Sequence, residues 1–193
     1  MRESEAPTRT TIEAIWRIEA ARLIGGLVRF VRDVDQAEDF AQEALLTALE
    51  RWPEMGIPEN PGAWLMTTAK NRAVDEGRRR AMMKDKHSEI ERTAAQWTTL
   101  DAEALDEGVG DDVLRLVLIA CHPVLSKDAR VALTLRLVAG LSTAEIARAF
   151  LTTEVTMAQR IVRSKRSLSE AKVPFEVPTG DELRARIPPT LEV

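Results

Sequence analysis

Cationic side chains are concentrated near the C-terminal end of this sequence, in the segment GLSTAEIARAFLTTEVTMAQRIVRSKRSLSEA, residues 140–171. Four cations lie there within two helical turns: Arg160, Arg163, Lys165 and Arg166. Lys and Arg side chains neutralise phosphates, and a glutamine such as Gln159 can pair with the edge of a base. The chemistry that this pattern indicates is binding to duplex nucleic acid.

Two short predicted helices position these side chains. Ser142 and Glu145 form an S-x-x-E capping box that begins the first of them. In a helix-turn-helix the first helix supports the second, whose N-terminal face enters the major groove. The predicted inward positions are Leu141, Ile146, Ala147, Phe150, Val155, Ile161 and Leu168. The same pattern also fits an ordinary helical hairpin with a solvated basic face.

The charge of the whole chain does not indicate nucleic acid, but its distribution does. The sequence has 27 Lys and Arg against 31 Asp and Glu, a net charge of -4. Cations dominate residues 70–86, acids dominate residues 89–112, and cations return in residues 160–166. Two basic patches separated by an acidic segment indicate anionic partners for the patches.

Patterns typical of catalysis or metal binding are missing from the sequence. It has no P-loop, no Ser-His-Asp set and no paired cysteines. Cys121 adjoins His122, and His87 is the only other histidine, so a zinc site lacks ligands and Cys121 is predicted to lie in the core. Asp111 and Asp112 are interpreted as a helix start favoured by the helix dipole. The protein is therefore expected not to be an enzyme and to need no cofactor and no metal.

Composition and periodicity predict an all-α protein. Apolar residues make up 45% of the 193 residues but aromatic residues only 4%, so the core is built mainly from Ala, Leu, Ile and Val. The lone cysteine excludes an intramolecular disulfide and favours a reducing compartment. Since no signal-peptide core and no membrane-spanning run occurs, we expect a cytoplasmic protein with no membrane partner.

The N-terminal half predicts three helices. The first covers about residues 10–32, and Gly25-Gly26 within it indicates a close helix neighbour. In the second, DVDQAEDFAQEALLTALERW, the acidic and amide residues are predicted to lie mainly away from the apolar stripe: Asp35, Glu38, Asp39, Gln42 and Glu43. PEMGIPENPG is predicted to be an exposed loop. Asn60 and Pro61 then begin the third helix as N-cap and first residue.

This organisation predicts two small helical domains joined by a flexible acidic linker. The first domain covers residues 1–84, the linker 85–110, the second domain 111–172 and a tail 173–193. The linker has little amphipathic order and many acids. This composition fits a simple tether.

Two segments together resemble one known family. DQAEDFAQEALLTALERW followed by AWLMTTAKNRAVDEGRRR resembles region 2 of bacterial RNA polymerase sigma factors of the extracytoplasmic-function (ECF) class. ARVALTLRLVAGLSTAEIARAFLTTEVTMAQRIVRSKRSL is similar to region 4 of the same class. The resemblance covers about residues 10–170, and it implies promoter-specific transcription initiation by a protein that binds polymerase and promoter DNA.

The resemblance also implies contacts with the polymerase core. Asp39, Gln42 and Glu43 match the positions that bind the clamp helices of the largest subunit. The flap of the second-largest subunit is a further implied partner. The acidic linker resembles the one that family members thread toward the RNA exit path, where it can mimic the charge of nucleic acid. The tail resembles the segment that precedes the C-terminal extension of long family members. Two means of regulation are therefore compatible with the resemblance, such an extension or a separate anti-sigma factor.

For promoter DNA, the resemblance implies two sets of residues. The set for the melted, single-stranded −10 element is Met55, Asn60, Lys70, Asn71, Arg72, Arg78, Arg79 and Arg80. The set for the duplex −35 element is Thr156, Ala158, Gln159, Arg160, Val162, Arg163, Lys165 and Arg166. Ala158 departs from a commonly basic residue, and the loop before the third helix is unusually rich in proline and acid.

Two other kinds of protein also fit parts of the sequence. A stand-alone helix-turn-helix regulator would bind duplex DNA without polymerase, normally as a dimer on a palindrome. A helical adaptor that binds only protein would show no salt-dependent DNA binding.

Overall fold

The computed structural model describes residues 9–83 and 109–193, and all regular secondary structure in these ranges is helical. The helices are α1 Arg9–Val31, α2 Val34–Met55, α3 Pro61–Met83, α4 Val109–Ala120, α5 Lys127–Leu137, α6 Thr143–Ala149, α7 Glu154–Glu170 and α8 Gly180–Leu191. The all-α prediction is confirmed. Most of the predicted linker, 85–110, lies outside the described residues.

Local capping residues begin several of these helices where the sequence predicts. The Asn60 side chain accepts a hydrogen bond from the Ala63 amide at 3.0 Å, and Ser126 accepts one from the Ala129 amide at 3.4 Å. At α6 both halves of the capping box between Ser142 and Glu145 are formed. A cap of this kind typically contributes about 1 kcal/mol, so these residues determine where each helix begins.

The end of α2 differs from the prediction. Residues 53–62 were expected to form a loop, but α2 continues to Met55 and the loop covers only 56–60. Pro53 is tolerated because it lies in the last turn, where it removes a single helical hydrogen bond. The helix then ends at Gly56, whose φ of 82° favours glycine and whose amide donates to the Trp52 carbonyl at 2.9 Å.

Helices α1, α2 and α3 pack together, and α4 to α7 form a second group around the helix-turn-helix. Trp52 is fully buried in the first group, where its ring packs edge-on against Trp64 with centroids 5.4 Å apart. Leu133 and Ile146 are fully buried in the second group. One continuous hydrophobic cluster contains residues of both groups, so the two helical parts pack directly on each other.

Two adjacent glycines in α1 allow neighbouring helices to approach closely. A Cβ atom added at Gly25 would lie 2.2 Å from the backbone oxygen of Asp112, and one at Gly26 would lie 2.6 Å from the Met66 side chain. The predicted close helix neighbour is therefore confirmed: α4 packs against Gly25, and Met66 of α3 packs against Gly26. Asp112 lies in the first turn of α4, which begins at Val109, and its buried carboxylate pairs with Arg115.

The tail after α7 packs on both groups. Val173 is buried and Phe175 packs against the hydrophobic cluster, while Glu176 pairs with Arg32 at the end of α1. Arg130 of α5 donates to the Pro189 carbonyl of α8 at 2.9 Å. Among the helices that the structure describes, none is long and apolar enough to cross a membrane.

Candidate nucleic-acid interface

The second helix of the helix-turn-helix, α7, has a buried face and an exposed face. Its buried side chains are Met157, Ile161, Ser164 and Leu168. Thr153 caps its N-terminus by accepting a hydrogen bond from the Thr156 amide at 3.2 Å. We call the exposed side the α7 outer face, and it consists of Val155, Thr156, Gln159, Val162, Arg163 and Arg166. This face can present cations to phosphates and a glutamine to base edges.

The structure corrects the predicted position of Val155. The sequence placed this side chain among the inward positions, but it is 68% exposed, and Met157 occupies the core instead. Successive helical residues are rotated by about 100°, so Val155 and Met157 lie on nearly opposite sides of α7.

Two of the predicted −35 residues, Arg160 and Ala158, are not fully exposed. The Arg160 guanidinium lies 5.4 Å from the centre of the Phe150 ring and 3.7 Å from the Asp128 carboxylate. Ala158 is half-buried. These contacts favour a supporting role for Arg160, since its charge is used to hold α6 and α5 against α7.

Lys165, another predicted −35 residue, contacts the first helical group. Its ammonium lies 2.6 Å from the carboxylates of both Asp35 and Glu38, and its side chain is 11% exposed. Burial alone would lower the pKa of Lys165, but the charge of Glu38 and the hydrogen bonds to Asp35 and Glu38 outweigh it and raise the pKa. Lys165 is therefore firmly charged, and it lies away from the α7 outer face.

Glu38 is the residue of this contact whose position the sequence analysis predicted wrongly. It was expected on the solvent side of α2, but it is 5% exposed. The Arg136 guanidinium of α5 donates to its Oε1 atom at 2.7 Å, and the Gln42 amide donates to the same atom at 3.1 Å. Its spacing could have predicted this burial. Val34, Glu38 and Ala41 follow the i, i+4, i+7 pattern, which places side chains on one helix face.

The predicted polymerase-binding residues Asp39, Gln42 and Glu43 are all exposed on α2. Asp39 and Glu43 line an open cleft between α2 and α3, together with Gln36, Phe40, Arg72, Asp75, Glu76, Arg79 and Arg80. Burial raises the pKa of the Asp39 carboxyl, and the nearby charge of Asp35 adds to this effect. The structure therefore brings acids predicted for polymerase and cations predicted for DNA into one cleft.

The remaining predicted −10 residues lie along α3 and the loop before it. Asn71 and Arg78 are exposed, as is Met55 at the end of α2. The Lys70 ammonium lies 5.8 Å from the centre of the Phe30 ring. Burial and, to a smaller degree, the charge of Arg29 lower the pKa of Lys70. Asn60 has a capping role for α3 in addition to its predicted DNA contact.

In the parts of the chain that the structure describes, no group of three or more His, Cys, Asp or Glu side chains could hold a metal ion. Cys121 is buried, as predicted, and its sulfur lies 3.5 Å from the Thr134 hydroxyl. His122 accepts a hydrogen bond at Nδ1 from the Val124 amide at 3.1 Å.

Comparisons with known proteins agree with this arrangement of helices. A family model described as Sigma-70 region 2 matches residues 16–82, and one described as Sigma-70, region 4 matches residues 115–168. The Mycobacterium tuberculosis protein named ECF RNA polymerase sigma factor SigL is 31% identical over 155 residues, which is 80% of this chain and 81% of that protein. This chain belongs to the ECF class of RNA polymerase sigma factors.

Other relatives of this ECF sigma factor differ in length. The RNA polymerase sigma-H factor of Pseudomonas aeruginosa is 29% identical over 158 residues and is covered over 82% of its length. An uncharacterized protein of Rhizobium meliloti is 37% identical over 168 residues, and the match covers 85% of this chain but 39% of that protein. The chain thus spans well under half of this longer relative. No solved structure matches the chain significantly.

Proposed function

We propose that this ECF sigma factor binds the RNA polymerase core and directs it to promoters, with α7 reading the duplex −35 element and α3 with its preceding loop capturing the melted −10 element. The observation that carries the proposal is the α7 outer face. It presents Gln159 and Arg163 to solvent on the second helix of a helix-turn-helix, in the segment that matches sigma region 4.

For the duplex element, the outer face supports base reading by its N-terminal half. Gln159 and Arg163 can make bidentate hydrogen bonds to adenine and guanine, respectively. Thr156 lies in the first turn, where amides and hydroxyls bind phosphate well. Arg166 is exposed one turn beyond Arg163 and forms an ion pair with Glu170 at 2.7 Å. Such an exposed pair is weak, so Arg166 can leave Glu170 and bind a DNA phosphate instead.

For the single-stranded element, the exposed positions of Asn71, Arg78 and Met55 support capture of an unpaired base. Opening a duplex costs stacking and pairing energy, which is recovered when the extruded base is hydrogen-bonded and stacked. An exposed amide such as Asn71 offers both a donor and an acceptor to a base edge. Arg72, Arg79 and Arg80 would hold the phosphate backbone of the same strand.

For the polymerase core, the exposed carboxylates of Asp39 and Glu43 support binding to a basic or polar surface. The family resemblance assigns this surface to the clamp helices of the largest subunit, and the flap of the second-largest subunit would receive the helix-turn-helix domain. Under this proposal residues 1–84 act on polymerase and the −10 element, and residues 111–172 act on the −35 element. Work with polymerase and chromosomal DNA would place the protein in the cytoplasm.

Reconstituted transcription tests the proposal. Core polymerase with this chain should transcribe a restricted set of promoters from genomic fragments, and core alone should not. Asp39→Ala combined with Gln42→Ala should weaken core binding, whereas Glu50→Ala, an exposed glutamate on the same helix, should not. Asn71→Ala should reduce permanganate reactivity of melted thymines more than it reduces initial docking.

Three results would contradict parts of the proposal. Undiminished core binding by the Asp39 and Gln42 double variant would refute that assignment. Unchanged strand opening by Asn71→Ala would refute the capture role of Asn71. Tight, site-specific duplex binding by the chain alone, without stimulated transcription, would instead indicate a stand-alone regulator. Regulation by an anti-sigma factor or a C-terminal extension remains a separate prediction.

A further inference from the structure

We propose that Val155 and Val162 recognise the 5-methyl groups of thymines in the duplex element, on either side of an adenine that Gln159 reads. This inference rests on the proposed function, because it requires α7 to lie in the major groove. It adds a specificity that the family resemblance does not assign: the base pairs under the N-terminal half of α7 are A·T pairs, and part of their recognition is apolar.

The two valines occupy one stripe of the α7 outer face with Gln159. Positions 155, 159 and 162 follow the i, i+4, i+7 spacing that keeps side chains on the same side of a helix. Val155 is 68% exposed and Val162 is 61% exposed. The other exposed residues of α7 are all polar or charged, so the valines are two isolated apolar patches on a hydrophilic helix.

Neither valine has a structural role that explains its presence. The core contacts of α7 are made by Met157, Ile161 and Leu168, on the opposite side of the helix. A β-branched side chain on an exposed helix face also lowers helix stability slightly relative to Ala. Each of these valines therefore lowers helix stability while burying only a minor part of its apolar surface, which favours a use in binding.

The chemistry of the major groove offers such a use. Thymine presents a methyl group there, and apolar side chains contact it, whereas glutamine pairs with N6 and N7 of adenine. Seven helical residues span about 10 Å along the axis, at about 1.5 Å per residue. Successive base pairs are about 3.4 Å apart along one strand, so the two methyl groups would lie within about three base-pair steps.

The first experiment removes only the methyl groups. The preferred upstream duplex is selected from a randomised library with the polymerase holoenzyme, and each thymine is then replaced singly by deoxyuridine, which keeps Watson–Crick pairing. We expect binding to fall by about fourfold at two positions within four consecutive base pairs, the factor corresponding to one buried methyl group. Other thymines of the element should be insensitive.

The second experiment assigns each methyl group to its valine. Val155→Ala and Val162→Ala should each abolish the sensitivity to deoxyuridine at one position and leave the other position sensitive. Alanine favours the helix, so both variants should remain folded. Val124→Ala is the matched control, because Val124 is also exposed but lies outside α7; it should bind like the wild type.

Two results would overturn the inference while leaving the proposed function intact. One is sequence-specific holoenzyme binding that no deoxyuridine substitution weakens. The other is deoxyuridine sensitivity that persists unchanged in both valine variants, since the methyl groups would then act through another residue or through DNA shape. Failure of the proposed function would give a different result, because the library would then yield no preferred upstream sequence. That result would contradict both the proposed function and this inference.

Discussion

The ammonium nitrogen of Lys165 in α7 lies 2.6 Å from the carboxylate of Glu38 in α2. The same carboxylate accepts a hydrogen bond from Gln42. A residue predicted to bind DNA and a residue predicted to bind polymerase are therefore joined through one buried acid. In this arrangement the buried Lys165 ammonium cannot contact DNA without leaving Glu38, whereas the exposed Gln42 amide keeps a second N–H and its oxygen for another partner.

The first prediction concerns this buried acid. Glu38→Gln keeps the shape of the side chain but leaves the charges of Lys165 and Arg136 without their shared counter-charge. Removing one partner of a buried ion pair typically costs about 3–5 kcal/mol. Because Lys165 keeps Asp35 as a partner and Arg136 is partly exposed, we expect a loss at or below the lower end of this range. The free energy of unfolding from urea titration measures the loss.

Glu50→Gln is the control for this prediction, because Glu50 is an exposed glutamate on the same helix. It should change the unfolding free energy by less than about 0.5 kcal/mol. Equal stability of Glu38→Gln and the wild type would show that the ion pairs between α2, α5 and α7 contribute nothing to the packing of the two helical parts.

The second prediction concerns the glycine contact between α1 and α4. In Gly25→Ala the new Cβ would lie 2.2 Å from the backbone oxygen of Asp112, which cannot rotate away as a side chain can. We expect a loss of about 1–3 kcal/mol, as for other overpacked sites, and faster amide hydrogen exchange in α4. Gly62→Ala is the control, because its Cβ meets only the carboxylate end of the flexible Glu19 side chain. Unchanged exchange in α4 after Gly25→Ala would contradict the contact.

The third prediction concerns pH. Burial, with a smaller effect from the charge of Arg186, lowers the pKa of His122 from 6.5 to about 4, against the opposing charge of Glu182. The unfolded chain therefore binds more protons than the folded chain between these two values, and stability must fall as the pH falls through this window. Protonation of Nδ1 would also remove the acceptor for the Val124 amide.

Urea midpoints at about pH 7.5 and about pH 5 measure this effect, since the two values lie on either side of the ordinary histidine pKa. His122→Gln should lose less stability on acidification than the wild type. His87→Gln, the control, replaces the other histidine of the sequence and should behave like the wild type. An acid response of His122→Gln identical to that of the wild type would contradict the lowered pKa.

The fourth prediction separates two arginines of α7. Arg163→Ala should weaken recognition of the upstream element by about 1–3 kcal/mol if Arg163 reads a base, and it should leave the unfolding free energy unchanged because the side chain is exposed. Arg160→Ala should instead lower the unfolding free energy by about 0.5–1 kcal/mol, because it removes the cation–π contact with Phe150. Holoenzyme binding and thermal unfolding measured on both variants test the pair. If Arg160→Ala weakened DNA recognition and Arg163→Ala lowered the unfolding free energy, the two assignments would be wrong.

Much of the fold could be predicted from the sequence because its signals are local. The capping box joins Ser142 to a residue three positions later, and Asn60 caps α3 over the same separation. Apolar periodicity likewise reports on neighbours three and four residues apart. The ECF resemblance extends this local information, since it assigns the two groups of helices to regions 2 and 4, and the family matches confirm that assignment.

The candidate site was less predictable because its contacts join distant parts of the chain. Glu38 pairs with Arg136, 98 residues away, and Lys165 with Asp35, 130 residues away. Whether a carboxylate faces water or a buried cation depends on such partners, and helical spacing carries no information about them. Val155 shows the same limit, because an apolar side chain enters the core only where the packing of α6 against α7 turns it inward.

By itself, then, the sequence determined the helices, their caps, the family and the basic outer side of α7, because each depends on residues close together along the chain. Only the tertiary structure decided that Glu38 and Lys165 are buried together, that Gly25 receives α4 and that Val155 faces solvent. The physical reason is that burial and charge pairing depend on which surfaces meet when the two groups of helices pack.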